Sequence, residues 1–470
     1  MKNAAKTQHS YLFILMMLAW PAILEQFLLT LVRYVDTAMV GSLGAAATAA
    51  VAINSSPTWL ISSILGAVGV GYSVQIAHSI GAKDYEMTGQ VVRQSLLAVI
   101  FTGLVMTAIC LLISPFLPGW MGAEAEVIPD AQRYLQIYVL SLPFQASSAT
   151  FSAILRCMGD TKTPLIFNTA TNVLNIILNY FLIFETREVS LFGLSVTMPG
   201  TGWGITGAAI ATAIATTIVG IGLALVTLGR RNLYCITIKD SFRPDRTIIH
   251  RALELGVPVA IERTIVTSGQ LLMTRIIASL GTVALAAGHV AITAEGLSYM
   301  PADGISYAAT ALVGQKYGAR EFKEARRYGI LSGWSGFFLS AFMGLLLFLF
   351  AAPLAQIFSS DPEVIRLAAS MLRIVAICQP LFGVSIVVSG ALRGLGDTRF
   401  PLFVGVTGMW LVRATLAPLF VYVLKTGLAG VWIAMVCDLC IRGLLCALRF
   451  KRFDFQRLEN EAQYLPTKDN

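Results

Sequence analysis

Residues Leu18 to Gly44 read LAWPAILEQFLLTLVRYVDTAMVGSLG, an apolar stretch that is long enough to cross a lipid bilayer. The stretch nevertheless contains three ionisable residues, Glu25, Arg33 and Asp36. A charged side chain at the centre of a membrane helix costs about 3 kcal/mol or more, so one that is retained there indicates a function. The stretch therefore predicts a membrane-spanning helix that carries part of a functional site.

A second copy of this stretch follows 237 residues later in the chain. The matching residues are Leu18, Pro21, Glu25, Ser42, Leu43 and Gly44 in the first copy, and Leu255, Pro258, Glu262, Ser279, Leu280 and Gly281 in the second. The motif LRxxGDTxxP keeps the same offset, since it begins at Leu155 and again at Leu392. A constant offset predicts two homologous halves, and transporters built from such parallel repeats bind their substrate between them.

The composition is that of a polytopic membrane protein. Of the 470 residues, 56% are hydrophobic and 13% are charged, and the mean hydropathy is +0.72. A soluble domain would have about 25% charged residues. The twelve predicted spans cover residues 13–40, 48–76, 90–114, 130–157, 164–184, 204–228, 252–279, 285–312, 327–351, 364–393, 401–424 and 428–449. We therefore expect an all-α fold with twelve transmembrane helices in two homologous six-helix bundles.

The positions of lysine and arginine predict the orientation of these spans. About 24 of them lie in alternate polar breaks and at both termini, whereas 4 lie in the remaining breaks. Because basic residues concentrate on the cytoplasmic side, we expect a multi-pass protein of the cell inner membrane with both termini in the cytoplasm. This distribution also accounts for the net charge of +8 without a separate basic domain, so no nucleic-acid partner is expected.

The repeat and the polar breaks predict four regions along the chain. Residues 1–228 form an N-terminal six-helix bundle, 229–251 a basic cytoplasmic connector, 252–450 a C-terminal six-helix bundle, and 451–470 a cytoplasmic tail. The first half contains an additional outer loop from Glu185 to Gly202, where the register of the repeat slips by 14 residues. The two halves are thus expected to share their helices and to differ in this loop.

A first cluster of polar residues predicts a site for a coupling ion or proton. Its members are Asp36, Asn172, Asn175, Asn179 and Thr212. The three asparagines recur at spacings of three and four residues in the fifth span, so they share one helix face. A carboxylate with amide and hydroxyl oxygens suits a hard cation, and the carboxylate alone can carry a proton. The alternative is that Asp36 pairs with Arg33 and that the asparagines only join helices.

A second group of residues is predicted to line a substrate cavity or a secondary ion site. Its members are Glu25, Asn172, Glu262, Glu295 and Asp303. Glu25 and its repeat partner Glu262 lie one or two turns into the membrane, where they would border a central cavity. The alternative is that a neighbouring arginine neutralises Glu262. Glu295 and Asp303 are eight residues apart in the eighth span, a rotation of about 80° around the helix, so they need not share a wall. Pro301 between them would allow a gating bend.

Sequence motifs for other chemistry are missing. There is no GxxxxGK[ST] motif for ATP, and the four histidines do not cluster as metal ligands. We therefore expect no enzyme activity and no cofactor, and no metal other than Na+ at Asp36. Uphill transport by such a chain would depend on a gradient of Na+ or H+.

These motifs together resemble the multidrug and toxic compound extrusion (MATE) family, part of the multidrug/oligosaccharidyl-lipid/polysaccharide exporter superfamily. The resemblance rests on VDTAMVGSLG at the end of the first span, the two LRxxGDTxxP motifs, and Leu312-Val313-Gly314-Gln315. It implies a V-shaped antiporter, a monomer, in which entering Na+ or H+ drives small organic, mostly cationic and amphipathic compounds out by alternating access.

The resemblance also implies roles for particular residues. The family's first-span aspartate corresponds to Asp36, its fifth-span N-x-x-x-D pattern to Asn175 and Asn179, and its sixth-span threonine to Thr212. The chain departs from the pattern at Asn179, where many members have aspartate, so it has one charge fewer there. Two other functions stay open: a flippase for lipids or lipid-linked oligosaccharides of the same superfamily, and a membrane protein that is not a transporter.

Overall fold

The structure, a computed structural model, describes residues 2–191, 194–229 and 243–464. The first half contains α1 (Lys2–Gly41), α2 (Ala45–Gly81), α3 (Tyr85–Ile113), α4 (Leu117–Trp120), α5 (Ile128–Leu140), α6 (Leu142–Cys157), α7 (Lys162–Ile183) and α8 (Gly204–Leu228). The second half contains α9 (Arg246–Ala278), α10 (Thr282–Gly318), α11 (Phe322–Leu349), α12 (Ala351–Phe358), α13 (Pro362–Ala376), α14 (Gln379–Gly394), α15 (Arg399–Val406), α16 (Ala414–Pro418), α17 (Leu428–Lys451) and α18 (Phe455–Tyr464).

The helices agree with the predicted polytopic membrane fold. Within the described residues, eight helical segments are long and apolar enough to cross a membrane, and α13 with α14 forms a ninth if this pair, bent by 59°, is one span. The helices α9 and α10, of 33 and 37 residues, carry the charges that lower their hydropathy. With these two and the α5–α6 pair, the helices are consistent with the twelve predicted spans.

Three spans are not regular α-helices. The fourth span is interrupted at Ser141, between α5 and α6, and the tenth is bent between α13 and α14. A proline lies at the start of both α6 and α14, where the missing backbone N–H breaks no helical hydrogen bond. In the eleventh span, π-helical segments at Thr407–Arg413 and Leu419–Val423 flank α16. By contrast, α10 continues through Pro301, so the expected break there is not present.

The outer loop of the first half contains the one feature that the all-α prediction did not include. Strands β1 (Glu185–Leu191) and β2 (Leu194–Thr201) form an antiparallel hairpin between α7 and α8. Glu185 pairs with Thr201, and the register is irregular between Glu185 and Arg187. The hairpin lies where the sequence repeat slips, so the insertion adds a separate element and leaves the helices of the repeat in place.

The two halves meet through helices that correspond to each other in the repeat. The helix α1 packs against α10, α2 packs against α9, and α2 also packs against α10. At the crossing of α2 and α10, a Cβ added to Gly81 would overlap the carbonyl oxygen of Gln315, and one added to Gly318 would overlap that of His78. Gly81 and His78 are the repeat partners of Gly318 and Gln315. The backbones therefore approach each other around a pseudo-two-fold axis.

Two hydrogen bonds between the halves obey the same pseudo-symmetry. His78 Nε2 lies 2.8 Å from the carbonyl oxygen of Gly394, and Gln315 Nε2 donates to that of Cys157 at 2.7 Å. Cys157 and Gly394 are repeat partners, and each is the last residue of its helix. We call these two bonds the interhalf lock. It closes the end of the molecule at which the basic polar breaks lie.

We predict that Gly81→Ala destabilises the protein by about 1–3 kcal/mol, because the added methyl group forces the backbones of α2 and α10 apart. The change is measured as the apparent unfolding temperature of the purified protein. Gly66→Ala is the matched control on the same helix, since a Cβ at Gly66 meets nothing within 4 Å. Equal unfolding temperatures for the two variants would contradict the close approach.

Candidate functional site

The first polar cluster assembles where α1, α7 and α8 meet. The asparagines of α7 face α1 because their spacing keeps them on one side of the helix. Asn179 Nδ2 donates to Asp36 Oδ1 at 2.8 Å, and the Asn175 amide lies 3.1 Å from Thr212 Oγ1. Asn175 and Asn179 are buried, whereas Asp36 is partly exposed. The structure thus brings Asp36, Asn175, Asn179 and Thr212 together, as the sequence predicts.

The amide of Asn175 fits the site in two orientations. With its oxygen toward Asp36, its nitrogen donates to Thr212 Oγ1 at 3.1 Å, and that hydroxyl donates to the carbonyl oxygen of Ala208 at 3.0 Å. With its nitrogen toward Asp36, that nitrogen lies 2.8 Å from Oδ1 and 3.1 Å from Oδ2 of the carboxyl group. The first orientation suits a protonated acid that donates, and the second suits a carboxylate that accepts.

Two amide atoms on the asparagine face of α7 are not hydrogen-bonded in the described structure. Within the described part of the chain, the buried atoms Asn172 Nδ2 and Asn179 Oδ1 have no hydrogen-bond partner. Asn172 thus lies on the same helix face, but in the described structure it forms no hydrogen bond with Asp36. The side chain of Arg33 lies outside the described residues, so the alternative pairing of Asp36 with Arg33 stays a hypothesis.

Glu25 lies at the other end of this asparagine face and is held by an ion pair. Its Oε1 accepts from Arg156 Nη2 at 2.5 Å and from Asn168 Nδ2 at 2.7 Å. Only 2% of the Glu25 side chain is exposed. Sequence analysis did not single out Asn168, although it lies four residues before Asn172 and continues the same spacing. Glu25 therefore has an arginine of the fourth span as its ion-pair partner.

The second half repeats this ion pair. Arg393 Nη2 lies 3.1 Å from Glu262 Oε2, and both residues are 237 positions after Arg156 and Glu25. The copy is less enclosed, since 14% of Arg393 and 16% of Glu262 are exposed, against 9% and 2% in the first half. The arginine comes from the LRxxGDTxxP motif in both halves, so this motif supplies the counter-ion of the repeated glutamate.

The two acidic residues of the eighth span lie in different environments. Glu295 is buried in the second half, where its Oε1 accepts from Gln379 Nε2 at 3.3 Å. Asp303 has Tyr299 four residues before it and Tyr307 four residues after it on α10, and Arg263 of α9 is within electrostatic reach of all three. The residues that the sequence groups as one secondary site are thus separated. Glu25 of α1 contacts α7, which carries Asn172, whereas Glu295 and Asp303 lie on α10.

A further buried ion cluster lies next to Glu295. Asp438 is fully buried, and its Oδ2 lies 2.8 Å from Arg413 Nε and 2.9 Å from Arg442 Nη2. Arg413 is also within electrostatic reach of Glu295. Glu295 and Asp438 therefore each accept from, or pair with, a donor side chain in this region. Among the described residues, no group of three or more His, Cys, Asp or Glu side chains is placed to hold a metal ion.

The chain is similar to known transporters along nearly its whole length. The sequence profile of the MatE family matches residues 21–181 and again 258–419. The probable multidrug resistance protein NorM of Thermotoga maritima is 33% identical over 437 residues, 93% of this chain and 91% of that protein. The uncharacterized transporter YisQ of Bacillus subtilis is 28% identical, with 96% of each chain covered.

Solved structures show the same fold. A crystal structure of MATE in complex with MaD3S has a TM-score of 0.86 at 23% identity and covers 95% of this chain and 96% of that one. An outward-facing multidrug resistance MATE transporter of the MOP superfamily has a TM-score of 0.85, with the same identity and coverage. The fold, the repeat and the family match define a membrane transporter and not an enzyme. This chain belongs to the MATE family.

We predict that Arg156→Gln costs about 3–5 kcal/mol of stability, because it leaves the carboxylate of Glu25 buried without its counter-ion. The matched variant Arg393→Gln should cost less, since the Glu262–Arg393 pair is more exposed. Apparent unfolding temperatures of both variants provide the comparison. The double variant with Glu25→Gln and Arg156→Gln should recover most of the loss. A double variant as unstable as Arg156→Gln alone would refute the ion-pair explanation.

Proposed function

We propose that this protein is a secondary active multidrug exporter, which exchanges H+ or Na+ for organic, mostly cationic and amphipathic compounds by alternating access. The observation that carries the proposal is the Asp36 site, where a carboxyl group at membrane depth is faced by amides and no described arginine. Relatives that are named probable multidrug resistance proteins, such as NorM, support the proposal that this protein exports several drugs. The protein would act as a monomer in the cell inner membrane, with both termini in the cytoplasm.

Asp36 would carry the coupling proton because its surroundings can adapt to either protonation state. Ionised, it accepts from Asn179 and from Asn175; protonated, it donates to the rotated Asn175 amide, which then donates to Thr212. Neither state leaves the carboxyl group without a partner, so the cost of burying each state stays small. Na+ would use the same carboxylate with amide oxygens as ligands. A change of charge at Asp36 would alter how α1 packs on α7.

Alternating access would require that the interhalf lock opens. The lock and the contacts of Gly81 and Gly318 hold the basic end closed. Because both bonds join one half to the other, they must break together when the halves rotate. Loading of Asp36 with a cation would shift the balance between the closed and open arrangements through α1, which contacts both α7 and α10.

We predict that Asp36→Asn abolishes export driven by an ion gradient, since an amide can neither bind nor release a proton. The protein is reconstituted into vesicles, and efflux of ethidium is followed while pH and Na+ gradients are imposed separately. Asp36→Glu is the matched control, which keeps an ionisable group and should retain measurable export.

The contrary outcome is undiminished gradient-driven efflux in Asp36→Asn, which would remove Asp36 from the coupling mechanism. Scrambling of fluorescent lipids without ethidium efflux would instead favour the flippase. The separate gradients also assign the ion: efflux that follows pH at constant Na+ identifies H+, and the reverse identifies Na+.

We predict that His78→Ala with Gln315→Ala opens the basic end more often, by about a factor of ten for each lost hydrogen bond. The readout is the labelling rate of a cysteine introduced at Ala77, which is buried beside Gly314 of the other half, in a background without native cysteines. Ser79→Ala is the control, because Ser79 bonds only to Ile76 and Thr88 of its own half in the described structure. Unchanged labelling would show that the bonds do not hold the halves closed.

A further inference from the structure

A small polar pocket lies at the basic end of the second half and shares no residue with the Asp36 site. It is lined by Arg251, Glu254 and Leu255 of α9 and by residues 396–399, where the chain passes from α14 to α15. Its volume is about 270 Å³. Pockets for drug-sized molecules begin at about 300 Å³, so this one suits a smaller polar group. We call it the basic pocket.

The repeat separates the part of the basic pocket that the scaffold needs from the part that it does not. The sequence Gly-Asp-Thr precedes the fifth span and again the eleventh, so this loop is common to both halves. Arg251 and Glu254, by contrast, correspond to Ile14 and Met17 in the first half. The loop therefore forms without charged residues at these positions, and the charges of α9 are particular to the second half.

The two acids of the basic pocket have different partners. Asp397 is bound by Arg449, whose Nε and Nη2 donate to its Oδ2 at 2.9 and 2.8 Å. Glu254 accepts from Arg251 Nη1 at 3.0 Å, and His250 Nε2 lies 3.6 Å from its other oxygen. Asp397 is thus neutralised from outside the pocket, and Glu254 is the acid that faces the pocket's own arginines.

These arginines outnumber the acid that is left for them. Arg399 is exposed, and in the described structure its side chain forms no hydrogen bond and no ion pair within 4 Å, although Glu254 is within electrostatic reach. Arg251 Nη2 also lacks an acceptor there and lies 3.3 Å from where a Cβ of Gly396 would be. Because Glu254 can neutralise one guanidinium group, the basic pocket keeps an excess of about one positive charge.

A backbone donor adds to this excess. In the first half, Asp160 Oδ1 accepts from the N–H of Lys162 at 3.1 Å. In the second half, Asp397 Oδ1 accepts from the N–H of Phe400 at 3.2 Å and not from that of Arg399, the repeat partner of Lys162. The first N–H of α15 thus lacks the cap that its counterpart has, at a helix end that favours negative charge.

This combination of groups suits a phosphate. Guanidinium groups bind phosphate oxygens through parallel charge-assisted hydrogen bonds, and a free N–H at the start of a helix binds an anion. An organic cation is disfavoured by the excess of positive charge. The basic pocket therefore differs in chemistry from the Asp36 site, where a carboxyl group is faced by amides.

We propose that the basic pocket is a phosphate-binding site at the basic end of the protein, which takes a free phosphate or the phosphate of a lipid headgroup. Arg251 Nη2 and Arg399 hold the phosphate oxygens, and the N–H of Arg399 donates to one of them. Glu254 opposes binding, since it competes for the same guanidinium groups. The site goes beyond the proposed export function and does not involve Asp36.

The test measures the apparent unfolding temperature of the full chain in detergent while inorganic phosphate is added at constant ionic strength. A ligand that binds the folded protein raises this temperature with its concentration, so each titration yields a Kd. We predict that Arg399→Gln raises the Kd at least about tenfold, because a charge-assisted contact is lost. Glu254→Gln should lower the Kd by about the same factor, since the competing carboxylate is gone, and misfolding cannot produce that gain.

Lys162→Gln is the matched control, because Lys162 is exposed beside the same loop of the first half, where Ile14 and Met17 replace the charged residues of α9. It should keep the wild-type Kd. Equal stabilisation of wild type and Arg399→Gln by phosphate would overturn the proposal, because the effect would then be that of the salt alone. A Kd that does not fall in Glu254→Gln would also overturn it.

A second titration distinguishes the two sources of the phosphate. It uses dioctanoyl phosphatidylglycerol, with dioctanoyl phosphatidylcholine, which has no net charge, as the control for the acyl chains. Stabilisation by phosphatidylglycerol that Arg399→Gln weakens at least about tenfold assigns the site to a lipid headgroup. Binding of inorganic phosphate without that effect assigns it to a free phosphate. Asp36→Asn should keep the wild-type Kd for phosphate, so loss of export and loss of this site are separate results.

Discussion

Every ionisable group at membrane depth must have a partner that compensates for the loss of water, and the kind of partner decides what the group can do. An arginine favours the charged form of a carboxylate, and Glu25 and Glu262 are paired with Arg156 and Arg393. An amide can rotate and can accept or donate. Asp36 hydrogen-bonds to amides and has no described arginine beside it, and under the proposed function it is the acid that changes its charge.

The internal repeat separates what the scaffold needs from what the function needs. Features present in both copies hold the helices together: the glutamate–arginine pairs, the close approach of glycines, and the bonds from His78 and Gln315 to helix ends. The features present in only one copy give the two halves interiors of different chemistry. The first half has an acid with asparagines, and the second has a network of acids and arginines around Asp438. Duplication thus supplied one framework for two unlike interiors.

The sequence predicts the spans, the repeat and the Asp36 cluster, because each depends on local spacing or on the cost of charge in lipid. It does not predict which arginine neutralises Glu25, since the partners lie 131 residues apart and meet only after α1 and α6 have packed. Arg156 belongs to the LRxxGDTxxP motif at the end of the predicted fourth span, and yet only 9% of its side chain is exposed in the structure. The sequence likewise does not predict that α10 continues through Pro301, a helix that packs against α1 and α14 in the structure.

The carbonyl groups that accept the interhalf lock are the last of α6 and α14, so no residue of their own helices binds them. When the halves part, these two oxygens lose their donors. Water has to enter the opening cleft and solvate them before separation is complete. Under the proposed alternating access, hydration of the inner entrance would therefore accompany each reorientation of the two halves.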